Sequence, residues 1–399
     1  MGNWFAYAAL IIWPLLSIYW FATKKIQVAV IMTILGGFMI LPVSTVIDLP
    51  LFPAMGQQTL PVLSAILGCF FIKRQRIMYF KGLGRLKYLL LLFVSVPFIT
   101  VFLNSDSFVM GGRYLPGLVL YDGLSFAINQ FLIITPFFIG RQFFKSYDEQ
   151  ITLFKLLVLA GLLYSVLMLF EVRMSPQLHT WVYGYFPHSF LQQYRFGGFR
   201  PVVFMGHGLL VAMFAAVVAV SALVLWNNKV RVKQFSSKLI AYYFLVVLVM
   251  CKSLAAILYG AMAFVALKFT SSKQQYRIAL IIASLTMLYP IMSIMHIFPH
   301  DTVVELAESI DADRAHSIKY RFDNEDILLA HGRDRFWFGW GGWGRNRVYN
   351  DAGVDVSVTD GKWILSFGQF GFFAPWLWLV VGALSGRSQH ILAQKEVKL

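Results

Sequence analysis

The chain has 399 residues, of which 58% are apolar and only 13% are charged. Soluble domains carry about 25% charged residues, so the composition argues against a soluble globular enzyme, a disordered chain and a nucleic-acid-binding domain. The net charge of +15 is better explained by orientation in a membrane, because the basic residues are distributed as a membrane topology requires.

Apolar runs recur along the whole chain, and a bilayer core needs about 20 apolar residues as a helix. The run 239–267 is too long for one simple span and is interrupted by Lys252. We therefore expect two short spans that meet at Lys252. The sequence predicts an all-α polytopic integral membrane protein with about eleven transmembrane helices, at 4–22, 26–43, 58–72, 88–103, 125–140, 151–171, 202–226, 239–251, 254–267, 277–298 and 361–384.

The basic residues predict the orientation of these spans. One set of alternate loops, counted together with Lys155 near the end of a span, holds 21 of the 34 basic residues. Loops rich in basic residues face the cytoplasm. The N-terminus is then outside and the C-terminus is cytoplasmic. Three long segments lie outside, at 104–124, 172–201 and 299–360. The last segment holds 12 of the 19 acidic residues, and its aromatic content argues against disorder.

This topology suggests a division of the chain into three parts. Residues 1–150 form N-terminal transmembrane helices, residues 151–384 form a transmembrane core with the outer loops 172–201 and 299–360, and residues 385–399 form a short cytoplasmic tail. Long loops of this kind are usually functional or disordered, so the two outer loops of the core are where we expect the active residues.

The first candidate site lies where the second outer segment meets a span. Arg195 and Arg200 precede Pro201, which is predicted to start a helix, and His207 is predicted to lie about two turns inside it. Guanidinium groups beside a helix N-terminus suit a phosphate or diphosphate. The alternative is that both arginines anchor lipid headgroups and that His207 bonds a neighbouring helix.

The second candidate is Lys252, in the sequence Met250-Cys251-Lys252-Ser253-Leu254. A lysine in an apolar stretch is costly unless it faces water or an anion. The predicted helical hairpin places Lys252 at the outer end of its spans, on the same side as Arg200. The alternative is that the side chain only reaches the outer interface.

The long outer segment carries the remaining candidates. Its sequence from Gly339 to Gly344 matches GxGxxG, but no strand of a βαβ unit precedes it, so we reject a dinucleotide site. Trp340 and Trp343 offer flat faces that can stack on sugars; the alternative is an interfacial aromatic belt. His331 is a possible base. No metal site is predicted, because the two cysteines lie in apolar runs and the spaced His296 and His300 lack a third ligand.

Asp360 stands at the mouth of the last predicted span. Its carboxylate is able to accept a proton or to hold a sugar hydroxyl. As a helix N-cap it would have a purely structural role, and the sequence favours neither role over the other.

Together, these elements resemble the O-antigen polymerase/ligase family of bacterial membrane glycosyltransferases. The segment from Arg195 to His207 opens a span, and Cys251-Lys252-Ser253-Leu254-Ala255 takes the place of a Ser-Arg-Gly-Ala-like turn. Arg321 precedes Phe338-Gly339-Trp340-Gly341, which is similar to the Gly-x-Gly turn of the family. Asp360 and the residues after it resemble the opening of the next span. The resemblance covers roughly residues 150–375 and depends on the order of these short motifs.

The resemblance implies an activity at the outer face of the bacterial inner membrane. A hydroxyl of an acceptor sugar attacks the anomeric carbon of a glycan on undecaprenyl diphosphate, and the lipid diphosphate leaves, without a cofactor, nucleotide sugar or divalent metal. The lipid-linked glycan, the bilayer and other polysaccharide-assembly proteins are the implied partners. The predicted binding residues for the diphosphate are Arg195, Arg200, Lys252 and Arg321, with His207, Trp340 and Trp343 near the substrate and Asp360 or His331 as the base.

The polymerase is favoured within this family, because O-antigen ligases carry a histidine near the position of Asp360. The predicted function is therefore the joining of lipid-linked repeat units into a surface polysaccharide, with the ligase as an alternative. A transporter with a basic cavity is the rival from another class, although the sequence shows no inverted repeat. A non-catalytic component of an export complex is the third possibility.

Overall fold

The computed structural model describes residues 2–48, 53–195, 197–309, 312–358 and 361–373. These residues are mostly helical with little strand. The helices in chain order are α1 (Trp4–Thr23), α2 (Ile26–Ile40), α3 (Leu60–Leu67), α4 (Leu86–Phe102), α5 (Leu120–Phe143), α6 (Tyr147–Met174), α7 (Leu178–Tyr183), α8 (Gly208–Asn227), α9 (Ser237–Met250), α10 (Leu254–Phe269), α11 (Ser272–Ile294), α12 (His300–Glu308), α13 (Ala312–Arg333) and α14 (Lys362–Phe370).

The strands form two short antiparallel hairpins. The first pairs β1 (Phe108–Met110) with β2 (Arg113–Leu115), and the second pairs β3 (Tyr194–Arg195) with β4 (Gly198–Phe199). A π-helical turn, Gly68–Ile72, continues α3, and a 3-10 turn, Leu191–Gln193, leads into β3.

Five of the helices in the described ranges are long and apolar enough to cross a membrane, namely α1, α5, α6, α8 and α11. The other predicted spans up to residue 267 coincide with shorter apolar helices. The last one, 361–384, falls mostly outside the described residues. The structure therefore supports a helical, membrane-embedded protein, whereas the count of eleven spans stays a prediction.

Two details of the predicted spans are decided by the structure. The division of the run 239–267 is confirmed, because α9 ends at Met250 and α10 begins at Leu254. The predicted helix start at Pro201 is wrong, because α8 begins only at Gly208. The backbone from Pro201 to His207 is not helical, since Val203 and Gly206 have positive φ angles of 47° and 85°, which a right-handed helix does not allow.

The chain divides into two compact units, which are described separately. The first comprises Met1–Tyr79 and Leu132–Gln275. Its core surrounds α8, which is rich in alanine and valine and packs against α6, α9 and α10. A Cβ built on Gly161 of α6 would lie 2.5 Å from Val218 of α8. Such close approach is the usual way for helices to pack in a membrane.

The second unit comprises Phe80–Phe131 and Tyr276–Leu399. Its irregular segment 334–358 is organised by Arg345, whose side chain is fully buried. The guanidinium donates to the backbone oxygens of Asp106 (2.8 Å), Pro116 (2.7 Å) and Trp340 (3.2 Å). A buried arginine is tolerated when all its donors find acceptors, so Arg345 is a structural residue of this unit.

Candidate functional site

The β3–β4 hairpin of the first unit carries the two predicted arginines at its ends. Arg195 is the last residue of β3 and pairs with Gly198 of β4. Arg200 follows β4 directly, and its backbone N–H donates to the carbonyl of Gln193 at 2.8 Å. This bond closes the base of the hairpin. The hairpin therefore fixes both arginines in one short stretch of chain, with Arg195 exposed and Arg200 buried.

Arg200 is buried although it carries a charge, with only 5% of the residue exposed. Its side chain packs on the first residue of α8, because a Cβ on Gly208 would lie 3.1 Å from the Cβ and 3.3 Å from the Nε of Arg200. Among the described residues, no acceptor bonds that Nε. Burial lowers the pKa of Arg200, and the charge of Arg195 lowers it further, whereas Cys251 raises it. A buried arginine donor without an acceptor is an expensive arrangement that a bound anion relieves.

The backbone after Arg200 is held by a buried glutamate of α6. The carboxylate of Glu171 accepts the N–H groups of Val202 (2.8 Å) and Val203 (2.7 Å) through one oxygen and that of Leu178 (2.9 Å) through the other. Val203 is strained, since a β-branched residue rarely adopts its φ of 47°. Glu171 therefore stabilises the backbone conformation that positions Arg200. The negative charge of Glu171 is itself balanced by the backbone N–H groups that donate to it.

Lys252 joins this group from the break between α9 and α10. Its φ is 51°, so the chain reverses at this residue. The side chain reaches the β3–β4 hairpin, because a Cβ built on Gly198 would lie 2.2 Å from the Lys252 Nζ. The side chain of Lys252 thus approaches the hairpin that carries Arg195 and Arg200. The structure brings together these three predicted cations, which we call the cationic cluster.

No carboxylate within the described ranges forms an ion pair with the arginines of this cluster. The cluster also lies near the positive ends of helices, because Gly208 begins α8 and Lys252 stands two residues before Leu254, where α10 begins. A helix N-terminus attracts anions and disfavours cations. Several positive charges at such a place suit a ligand with more than one negative charge, such as a diphosphate.

His207 also belongs to this region, but its predicted place two turns inside a helix is wrong. It is the N-cap of α8, and its Nδ1 accepts the N–H of Leu209 at 3.0 Å. The helix starts later than predicted because Glu171 binds the backbone N–H groups of Val202 and Val203 in a non-helical arrangement. The ring of His207 stands edge-on to that of exposed His188, with 4.7 Å between the centroids.

Exposed apolar side chains surround the hairpin. Phe190, Leu191 and Tyr194 are 41%, 84% and 56% exposed, and Tyr194 lies edge-on to Phe199. An exposed apolar patch beside concentrated positive charge is typical of a surface that contacts an amphipathic ligand or a membrane interface.

Arg321 lies in the second unit, so its predicted convergence with Arg200 stays a prediction. It lines a cavity of about 440 Å³ together with Tyr289, Glu325 and Trp363. Glu325 is one helical turn after Arg321 on α13. Both of its oxygens accept from the Tyr289 hydroxyl, at 2.9 and 2.8 Å, and one also accepts from Ser293. Burial raises the pKa of the Glu325 carboxyl, and the hydrogen bond from Ser293 opposes this rise.

His331 occupies a structural position at the end of α13. It is 7% exposed, and its Nε2 donates to the carbonyl of Arg345 at 2.8 Å. Burial lowers the pKa of His331, which favours the neutral ring. Its ring stacks on Trp340 at 4.5 Å. Nothing in this geometry tests its predicted role as a base.

The two predicted tryptophans differ. Trp340 donates to the carbonyl of His331 at 2.8 Å and lies under the guanidinium of Arg335, so its ring is used in packing. Trp343 is 65% exposed, and its Nε1 donates to Asp122 at 2.8 Å. Trp343 is therefore the better placed of the two for contact with a ligand or a membrane surface. The predicted residue Asp360 lies outside the described residues.

Several polar residues at these sites were not expected from the sequence. Glu171 is an acidic residue at the end of an apolar run, and that contrast was the available signal. Glu325 stands among many acidic residues of the long outer segment, so its charge alone did not distinguish it. Tyr289 and Ser293 of α11 gave no signal, because both residue types are common near the ends of membrane helices.

No protein-family model, curated protein or solved structure matches this chain.

Proposed function

We propose that the protein is a bacterial inner-membrane glycosyltransferase. In this proposal it joins undecaprenyl-diphosphate-linked oligosaccharide repeat units into a surface polysaccharide, such as an O-antigen or an exopolysaccharide, at the outer face of the membrane. The observation that carries the proposal is buried Arg200, whose Nε has no acceptor among the described residues and which shares a hairpin with Arg195. The order of motifs along the chain supports the choice of a lipid-linked glycan as the substrate.

The cationic cluster suits the leaving group of this reaction. As the acceptor hydroxyl attacks the anomeric carbon, the bond from that carbon to the lipid diphosphate breaks, and the diphosphate takes the electron pair. The hydroxyl proton passes to a base. Charge grows on the diphosphate during this step, and donors that are fixed in a partly dry site contribute several kcal/mol to lowering the barrier. The exposed apolar side chains beside the cluster suit the isoprenoid tail.

The proposal includes a topology of eleven spans with the hairpin outside. Single cysteines at Leu191, beside the hairpin, and at Lys233, in the loop before α9, test it. Both residues are exposed, and the native Cys69 and Cys251 are buried. In spheroplasts, we expect a membrane-impermeant maleimide to label the cysteine at 191 but not the one at 233. The reverse pattern would place the cluster in the cytoplasm and exclude the proposed reaction.

The function is tested in cells of the source bacterium that lack the chromosomal copy and carry a variant on a plasmid. We expect Arg200→Ala to lower polymer formation about 100-fold or more, while single lipid-linked repeat units accumulate outside. Arg200→Lys is expected to restore little, since an ammonium does not bind a diphosphate bidentately. Arg173→Ala is the matched control, because Arg173 is an exposed arginine of the same unit.

The species that accumulates distinguishes the candidate functions. Single repeat units that an impermeant lectin detects at the outer face support a polymerase. Long lipid-linked chains that never reach their final acceptor indicate a ligase instead. Repeat units that stay inaccessible to the lectin indicate a transporter. Wild-type polymer from Arg200→Ala, with protein present in the membrane at normal levels, would exclude the proposed role of the cluster.

A further inference from the structure

The second unit contains a cavity whose lining includes none of the residues of the cationic cluster. Its volume is about 440 Å³, within the range of roughly 300–1,000 Å³ that is usual for small-molecule sites. Val303, Ile318 and Ile364 contribute apolar surface, and Tyr289, Glu325 and Trp363 contribute polar or aromatic groups. An apolar cavity with a few converging polar groups is the usual form of a ligand site.

The polar side of the cavity is organised around Glu325. Its oxygens accept hydrogen bonds from Tyr289 and Ser293, which fix the plane of the carboxyl group. A carboxylate has about four acceptor positions, so it retains capacity for a ligand hydroxyl. His300 supports it from another side, with its Nε2 4.0 Å from Glu325 Oε1 and its Nδ1 3.7 Å from Asp326.

His300 is itself held in place by an aromatic ring. It stacks on Phe322 of α13 with 4.1 Å between the centroids and 11° between the planes. The carboxyl group of Glu325 is therefore supported by residues of α11, α12 and α13. A polar group positioned in this way is prepared for recognition, because little order remains to be imposed when a ligand binds.

The aromatic side of the cavity is Trp363 at the start of α14. Its ring is half-buried and stands edge-on to Tyr289, with 5.8 Å between the centroids. The face of an indole is electron-rich, and one face of a pyranose presents weakly positive C–H groups. The charges that line the cavity, Arg321 and Glu325, are opposite in sign, which favours a neutral ligand over an anionic one.

We propose that this cavity binds one neutral pyranose unit of a glycan, with Trp363 against the sugar face and Glu325 accepting hydrogen bonds from its hydroxyls. The choice of a sugar as ligand rests on the proposed function. The site is distinct in chemistry from the cationic cluster, because it pairs a carboxyl group with an aromatic face instead of concentrating positive charge.

The test uses the full-length protein in detergent micelles and saturation-transfer difference NMR. The probes are the methyl α-glycosides of glucose, galactose and N-acetylglucosamine, with the methyl glycoside of glucuronic acid as the anionic comparison. We expect wild-type protein to bind at least one neutral glycoside in the millimolar range. Glu325→Gln and Trp363→Ala are each expected to weaken that binding about tenfold.

Two variants serve as matched controls. Glu308→Gln removes an exposed carboxylate of the same unit, and Trp337→Phe changes an exposed tryptophan of that unit outside the cavity; both are expected to bind as wild type does. If Trp363→Ala fails to fold, as size-exclusion chromatography would show, Trp363→Phe replaces it and is expected to bind more weakly than wild type.

The proposal is overturned if no neutral glycoside binds, if the glucuronide binds more tightly, or if the Glu325 and Trp363 variants bind as wild type does. This outcome is independent of polymer formation. Loss of polymer in Arg200→Ala together with no glycoside binding would leave the proposed function intact and remove only the sugar site. Glycoside binding together with normal polymer in Arg200→Ala would leave the sugar site intact and remove the proposed function.

Discussion

The ammonium group of Lys252 lies against the backbone of Gly198, at the place where any other residue would carry a side chain. A Cβ on Gly198 would be 2.2 Å from the Lys252 Nζ and 3.2 Å from its Cε. The turn between α9 and α10 and the β3–β4 hairpin are therefore fitted to each other at this point. Glycine at 198 is what allows Lys252 to approach the segment that bears Arg195 and Arg200.

Substitution of Gly198 by alanine should move Lys252 without unfolding the protein. The added methyl group meets the end of a flexible side chain, which is able to rotate away at low cost. We expect Gly198→Ala to weaken the binding of farnesyl diphosphate, a short isoprenyl diphosphate probe, by about tenfold, because one charged partner is lost. Equilibrium binding to the detergent-solubilised protein measures this change.

Gly140→Ala is the control for this substitution, since a Cβ at Gly140 in α5 meets no atom within 4 Å. Both variants should unfold at nearly the same temperature as wild type. Unchanged farnesyl diphosphate affinity in Gly198→Ala would remove Lys252 from the proposed diphosphate site.

Glu171→Gln tests whether this glutamate positions Arg200. A glutamine side chain presents one oxygen and one N–H₂ group where the carboxylate accepts from Leu178, Val202 and Val203. At least one backbone N–H is then left without an acceptor, which costs about 1–3 kcal/mol. We expect a lower temperature of unfolding and weaker binding of farnesyl diphosphate, because Glu171 holds the backbone that follows Arg200.

The control for Glu171→Gln is Glu149→Gln, which weakens the capping box at the other end of α6. It should lower stability without changing the affinity for the probe in the folded protein. Equal loss of affinity in both variants would mean that Glu171 acts only through general stability.

The sequence predicted the positions of the apolar helices in the described residues, because long apolar runs and charged interruptions are local properties of the chain. Lys252 between two apolar runs was sufficient to place the break between α9 and α10. The start of α8 was missed for two reasons. Proline is compatible with a helix start, and the backbone before α8 is held by Glu171, which lies about 30 positions earlier in the chain. Contacts of that kind are not encoded in local periodicity.

The same distinction explains what was predicted of the sites. Arg195, Arg200 and Lys252 were expected on one side of the membrane, because the two arginines precede a predicted span and the predicted hairpin places the lysine at its outer end. The roles of the other arginines depend on distant partners. Arg345 is enclosed by carbonyl groups from residues more than 200 positions away, such as Asp106 and Pro116, and no local pattern distinguished it from the arginines proposed to bind a ligand.

Glu325 should make the stability of the protein depend on pH. Burial raises the pKa of this carboxyl, the hydrogen bonds from Ser293 and Tyr289 and the charge of His300 oppose the rise, and Asp326 adds to it. The folded protein therefore holds this proton more tightly than the unfolded chain, whose glutamate pKa is about 4.3. The stabilising contribution is present below that pH and is lost as the pH rises through the folded pKa.

Glu325→Gln cannot ionise, so it avoids this loss. We expect its unfolding temperature, relative to that of wild type, to increase between about pH 4 and about pH 8. Intrinsic fluorescence during heating measures the difference. The neighbouring His300, Asp326 and Arg321 are present in both proteins, and Glu308→Gln, an exposed carboxylate, should show no such trend. A constant difference across this pH range would contradict the assignment of a raised pKa.

Substitution by methionine should destabilise the protein at Arg345 but not at Arg200, although both arginines are buried. Methionine at 345 leaves the carbonyl groups of Asp106, Pro116 and Trp340 without their donor, so we expect a loss of about 3–5 kcal/mol in the free energy of unfolding. Methionine at 200 removes a charge whose Nε has no acceptor in the described part of the chain. In the absence of a ligand, Arg200→Met should therefore be neutral or stabilising.

Farnesyl diphosphate should raise the unfolding temperature of wild type but not that of Arg200→Met. Two results together would show that Arg200 is a structural residue. Arg200→Met would be destabilised as much as Arg345→Met, and farnesyl diphosphate would stabilise wild type and Arg200→Met equally.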